Sequence, residues 1–114
     1  MIKFFLLFFV IVVVSGCASS GIERNNSNKS LTKFAYANCL MWYFEDKKYN
    51  TDDIRAISGG IVETSNVSID KFQEIALFIK DYDPNLETKQ DIDKKLLRCF
   101  SLERSEKLKA IIAK

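Results

Sequence analysis

The stretch Leu31–Lys47, LTKFAYANCLMWYFEDK, constrains the fold of this chain more than any other. It has no proline or glycine and is dense in large apolar side chains. At helical spacing Phe34, Asn38, Met41 and Glu45 share one stripe, while Tyr36, Cys39, Leu40 and Tyr43 share a second. Phe44 widens the apolar surface further. A helix apolar over so much of its circumference is not stable on a surface, so other elements must cover it. It is expected to be the central helix of a small core. Cys39 lies in its middle, and Cys99 lies near the far end of the chain.

The N-terminus sets the compartment in which those two thiols would meet. Residues 1–16 read as a signal peptide: Lys3 is the positive n-region and Phe4–Val14 is an unbroken apolar run. That run is far short of the about 20 residues a membrane-spanning helix needs. Val14-Ser15-Gly16-Cys17 then resembles the lipobox of bacterial lipoproteins. The small residues let the chain lie extended in a peptidase groove, and the Cys17 thiol is the nucleophile that takes the lipid. Two or more acyl chains give stable anchoring. Alanine rather than aspartate at Ala18 implies sorting to the outer membrane, with the domain in the periplasm.

After removal of residues 1–16, the rest is long enough for one domain. The formal charge of +2 falls by one when Lys3 leaves. Near-neutrality and the compartment argue against a nucleic-acid partner. An oxidising periplasm favours a Cys39–Cys99 disulfide, which would close a loop of about 60 residues. In the chain-entropy account that is worth about 4 kcal/mol. The alternative is two free, buried thiols.

Residues 17–30 carry the lipid and a polar, aperiodic Ser- and Asn-rich stretch that reads as a flexible tether. Residues 31–114 form the domain. Ser30 or Thr32 is expected to cap the first helix, which ends near Lys47-Lys48. Thr51 opens the second helix, whose apolar face is Ile54, Ile57 and Ile61. Gly59-Gly60 interrupts it at about 1 kcal/mol per glycine, and close packing against the first helix is the expected reason. No GxxxxGK accompanies the pair, so a phosphate loop is not indicated. Glu63–Val67 reads as a loop. Ser68 caps a third helix carrying Phe72, Ile75 and Ile79, and Pro84 stops it. Thr88 with Asp91 suggests a capping box for a fourth helix bearing Ile92, Leu96 and Cys99. Ser105 caps a short last helix with Leu108, Ile111 and Ile112. The expected fold is an all-α bundle of four main helices plus a short C-terminal one.

Catalytic chemistry is hard to find. There is no histidine, the commonest general base and metal ligand. Cys17 is committed to lipid, and pairing of Cys39 with Cys99 would leave no thiol for a nucleophile or a metal site. No serine sits in GxSxG or SxxK. The expectation is a non-enzymatic binding protein with no cofactor and no metal.

Several segments resemble a known family. They are Tyr36-Ala37-Asn38-Cys39-Leu40, the Asp53–Gly60 small-residue helix, Ser68–Tyr82, Leu96–Leu102 and Arg104–Leu108. Together they are similar to the periplasmic immunity proteins that neutralise peptidoglycan amidase effectors of type VI secretion. The resemblance covers residues 31–112, and its most specific part is the two cysteine segments at their spacing. It implies an all-helical exported inhibitor that plugs the groove of a cysteine amidase, often as a homodimer. The residues themselves also accommodate a small structural or accessory envelope lipoprotein with no toxin partner.

A plug needs a protrusion, and the sequence offers two. One is Glu63–Val67. The other, favoured here, is the acidic turn Asp81-Tyr82-Asp83-Pro84-Asn85-Leu86-Glu87. Proline stiffens it, Tyr82 and Leu86 are anchor types, and Asp81, Asp83 and Glu87 suit a basic groove rim. Asn85 completes the set. The lipidation reading has its own test: Cys17→Ser is expected to accumulate as unprocessed precursor and to take up no palmitate analogue. Normal processing of that variant would refute the lipobox.

Overall fold

The computed structural model describes residues 20–114; the expected signal peptide, Cys17 and Ala18 lie outside the described residues. Five α-helices follow in order: α1 Ser20–Asp46, α2 Asp52–Thr64, α3 Ile69–Lys80, α4 Lys94–Ser101 and α5 Glu106–Ala113. A 3₁₀ turn, Leu102–Arg104, joins α4 to α5, and there is no strand among the described residues. The all-α architecture is as the periodicity implied.

Helix α1 is central, packing against α2, α3, α4 and α5. Its buried stripe is Leu31, Ala35 and Cys39 at i, i+4 spacing, flanked by Phe34 and Asn38. Phe72, Ile75 and Ile79 of α3 meet it, and Cys99, Leu102 and Leu108 close the core from the C-terminal side. Phe34 and Phe72 pack edge to face with centroids 5.0 Å apart, an arrangement worth about 1 kcal/mol beyond area burial. Burial is concentrated in the first half of the Leu31–Lys47 stretch. Beyond Cys39, Trp42 and Glu45 face outward and Met41, Tyr43 and Phe44 are only half-buried.

The disulfide forms. Cys39 and Cys99 are bonded with Cα atoms 5.5 Å apart, and both are almost fully buried, at 0% and 2% exposure. It staples the central helix to α4.

Helix ends depart from expectation in instructive ways. Helix α1 begins at Ser20, so residues 20–30, expected as an irregular tether, continue the helix. Thr32 does not cap it; its hydroxyl donates to the Asn28 carbonyl at 2.8 Å, one turn back inside the helix. At the other end Lys48 adopts φ 59°, in the left-handed region. The Tyr49 amide then donates to the Phe44 carbonyl at 2.8 Å and the Lys48 amide to that of Glu45 at 3.1 Å. This is a Schellman closure, and its accompanying apolar contact is the Phe44–Tyr49 ring pair at 5.9 Å. The Thr51 hydroxyl accepts from the Arg55 side chain, while the Asp52 amide at the start of α2 is capped by Asn50 Oδ1 at 2.8 Å. Asp93, not the Thr88–Asp91 pair, caps α4: its Oδ1 accepts from the Lys95 amide at 2.9 Å. Ser105 caps α5 through the Leu108 amide, as expected.

Gly59 and Gly60 overturn a packing argument. A Cβ at either position would meet nothing within 4 Å, so close approach to α1 is not what keeps them glycine. Nothing among the described residues explains the pair.

Reduction tests the weight of the staple. With about 4 kcal/mol at stake, thermal melting of the reduced domain is expected well below that of the oxidised one. An unchanged melting temperature on verified reduction would show that the bridge constrains little.

Candidate partner-binding face

The longest irregular segment among the described residues joins α3 to α4, from Asp81 to Asp93. Pro84 disfavours helix at Asp83, so the chain leaves α3 extended. Within it Asp81, Asp83, Asn85 and Glu87 are exposed, while Tyr82, Pro84 and Leu86 are half-buried. The structure therefore brings the acidic side chains and Asn85 to the outside of one loop.

Tyr82 has a different part from the one its residue type suggested. Its ring packs on Phe78 with centroids 5.3 Å apart. Its hydroxyl lies 2.7 Å from Ser101 Oγ, which donates to the Arg98 carbonyl at 2.6 Å. Serine has one proton to give, so the tyrosine hydroxyl is the donor to Ser101. Arg98 Nη1 donates in turn to the Tyr82 carbonyl at 3.0 Å. Tyr82 is the pin that fixes the start of the loop to α4.

The end of the loop is pinned to α1. Asp93 Oδ2 accepts from the Tyr43 hydroxyl at 3.2 Å and pairs with Lys47 at 2.9 Å. Alongside, Lys95 pairs with Asp46 at 2.8 Å. The Lys47 hydrogen bond, with help from the Lys95 amide, holds the Asp93 carboxyl below its ordinary value. The same bond raises Lys47. Desolvation, then the Asp93 charge, raises Tyr43. One carboxylate thus caps α4 and ties it to the end of α1. Sequence reasoning missed Asp93; the signal was an acid just before Lys94-Lys95 at a helix start.

Two surface grooves flank the loop, and Pro84 and Leu86 line both. The first, of about 740 Å³, lies toward α1 and α4, with Trp42, Tyr43, Lys94 and Arg98 on its walls. The second, of about 680 Å³, is bounded by Glu87, Ile92, Leu97, Phe100 and Arg104. Phe100 is 66% exposed there. The rival loop is a smaller feature. Helix α2 runs through Thr64, so Glu63 and Thr64 are helical. The short link after it is tightened by a Val67 amide bond to Ser65 Oγ at 3.1 Å.

Among the described residues no three His, Cys, Asp or Glu side chains are grouped to hold a metal ion. The class defined here is a small disulfide-stapled helical protein presenting a clamped loop between two grooves. The Tai4 family model, described as type VI secretion system (T6SS), amidase immunity protein, matches residues 29–112. The chain belongs to that family of amidase immunity proteins, which are not enzymes. No curated protein and no solved structure matches it.

The Asp93 clamp has a pH signature. A depressed carboxylate contributes stability above its unfolded pKa and loses it as pH falls through the folded one. Asp93→Asn keeps a competent helix cap and removes only the charge. Urea titrations should find the variant less stable than wild type at neutral pH, with the gap closing on acidification below the carboxylate range. A gap independent of pH would mean the ion pair is not its source.

Proposed function

We propose that this chain protects its cell by binding a cognate peptidoglycan amidase effector and occluding the active-site groove of that enzyme. Family membership supports the immunity role. The observation that carries the inhibitory reading is the loop from Asp81 to Asp93, pinned at Tyr82 to α4 and at Asp93 to α1. A flat helix face cannot reach a nucleophile at the bottom of a substrate groove; an extended loop can. Fixing both ends of that loop before binding lowers the ordering cost of association. Asp81, Asp83, Asn85 and Glu87 form its polar surface and Leu86 its apolar one, while Tyr82 supports it from behind.

The site of action is the periplasm, where an effector from a neighbouring cell meets the wall. The lipid on Cys17 would hold the domain there, at the outer membrane. Exposed Phe100 with Ile92 and Leu97 supplies an apolar face suited to a homodimer.

The test replaces the loop surface and spares its pins: Asp81, Asp83 and Glu87 to Ser with Leu86→Ala. The folded variant is expected to bind the cognate amidase at least about tenfold more weakly, and to protect cells poorly. Undiminished binding and protection would show that the loop is not the plug.

A further inference from the structure

The groove between α1 and the pinned loop carries a charge surplus that the fold does not use. Its cations are Lys80, Lys94, Lys95 and Arg98, and its acids are Glu45, Asp46 and Asp83. Two of the acids are already engaged. Asp46 is held by Lys95 at 2.8 Å, and Glu45 by Arg55 of α2, which lies outside the groove lining. Among the described residues Lys80 and Lys94 have no ion-pair partner, and both are exposed. Arg98 gives one N–H to the Tyr82 carbonyl, while its Nε–H finds no acceptor. Lys80, Lys94 and Arg98 are therefore set against Asp83 alone. Beside them stands Trp42, the only tryptophan of the chain, 36% exposed on the α1 wall. Structural duty explains Arg98; it explains neither the open indole nor the two lysines.

Aromatic and cationic side chains around a groove form the kind of spot that dominates interface energy. We infer that this groove receives a carboxylate-bearing segment of the amidase, an Asp or Glu between Lys80 and Lys94 with an apolar neighbour laid on Trp42. This rests on the amidase reading above and adds a second contact to it. The loop enters the enzyme with its acidic outer surface, and the enzyme returns an acidic segment into the basic groove behind the loop. Reciprocal charges of this kind fix register and raise the association rate more than they add raw affinity. At about 740 Å³ the groove has room for a short segment.

Trp42 provides the readout. The chain is labelled with fluorotryptophan, and the unlabelled amidase is added while its single fluorine resonance is followed. The resonance is expected to shift on binding. Lys80→Glu with Lys94→Glu should weaken binding at least about tenfold and flatten its salt dependence. The control Lys33→Glu with Lys107→Glu, on exposed positions away from the groove, should stay within about twofold. A neutral variant, Lys80→Gln with Lys94→Gln, should fall between, which separates charge from any loss of fold. If wild type binds and the resonance stays still, the groove is not in the interface. If the resonance shifts but the charge-reversed variant binds as wild type does, the surplus charge is irrelevant. Either result overturns the inference and leaves the immunity reading standing. A resonance that moves with purified muropeptides and not with the amidase also overturns it. Wild type that fails to bind the amidase removes the functional reading itself, and this inference with it.

Discussion

The Cys39–Cys99 bond is the constraint on which the rest of this small domain depends. Helix α4 is short, running only Lys94–Ser101, and follows a long irregular segment. A helix of that length has little stability of its own, because nucleation is costly and few hydrogen bonds repay it. What keeps it against α1 is a covalent bond in its last turn, the Asp93 clamp at its start and burial of Leu102 just beyond its end. The magnitudes rank these. A bridge over a separation of 60 residues is worth about 4 kcal/mol in the chain-entropy account. The Asp93 contacts are solvent-exposed and screened by salt, so they set direction more than strength. Against a typical net stability of about 5 to 15 kcal/mol, the bridge is a large fraction of the whole.

The loop inherits its geometry from that staple. Its two pins lie on different helices, Tyr82 on α4 and Asp93 on α1, and those helices are the pair the disulfide joins. Asp93 also caps α4, so both ends of the loop meet that helix and its length sets the span between them, while the disulfide holds the helix, and the loop with it, against α1. This assigns Tyr82, Ser101 and Arg98 a common task. None need touch a partner; each holds the loop surface proposed to do so.

What the sequence made legible follows from what each signal depends on. The central helix, the order of the helices and the cysteine pair depended on local periodicity and compartment chemistry. Phe34 and Cys39 announced themselves. Helix ends depended on competition between near-equal caps: Thr51 and Thr88 lost to Asn50 and Asp93, and Thr32 lies inside a helix that starts earlier. The start of α1 at Ser20 was hidden because Ser and Asn carry only small helix penalties, which a helix nucleated downstream can absorb. The loop was found by its proline and its acids. Its pins were not, since Tyr82 with Ser101 and Tyr43 with Asp93 are pairings across the fold that no local pattern encodes. Gly59 and Gly60 were read as a packing contact, and the open space over both shows that small residues on a helix do not by themselves imply a near neighbour.

An inhibitor that works by insertion faces an entropy problem. Fixing the backbone of one residue costs about 1 to 2 kcal/mol, and a free loop would incur that cost for every residue ordered on binding. In the proposed reading this loop meets that cost in advance, at folding. Proline removes freedom at Pro84, the two pins remove it at Tyr82 and Asp93, and the disulfide keeps α4, which carries both pins, against α1. The free energy that sustains this order comes from the core around Ile75 and Ile79, which are completely buried. Losing the bridge should free α4 and the loop it carries from α1, and so harm the proposed inhibition before it unfolds the domain.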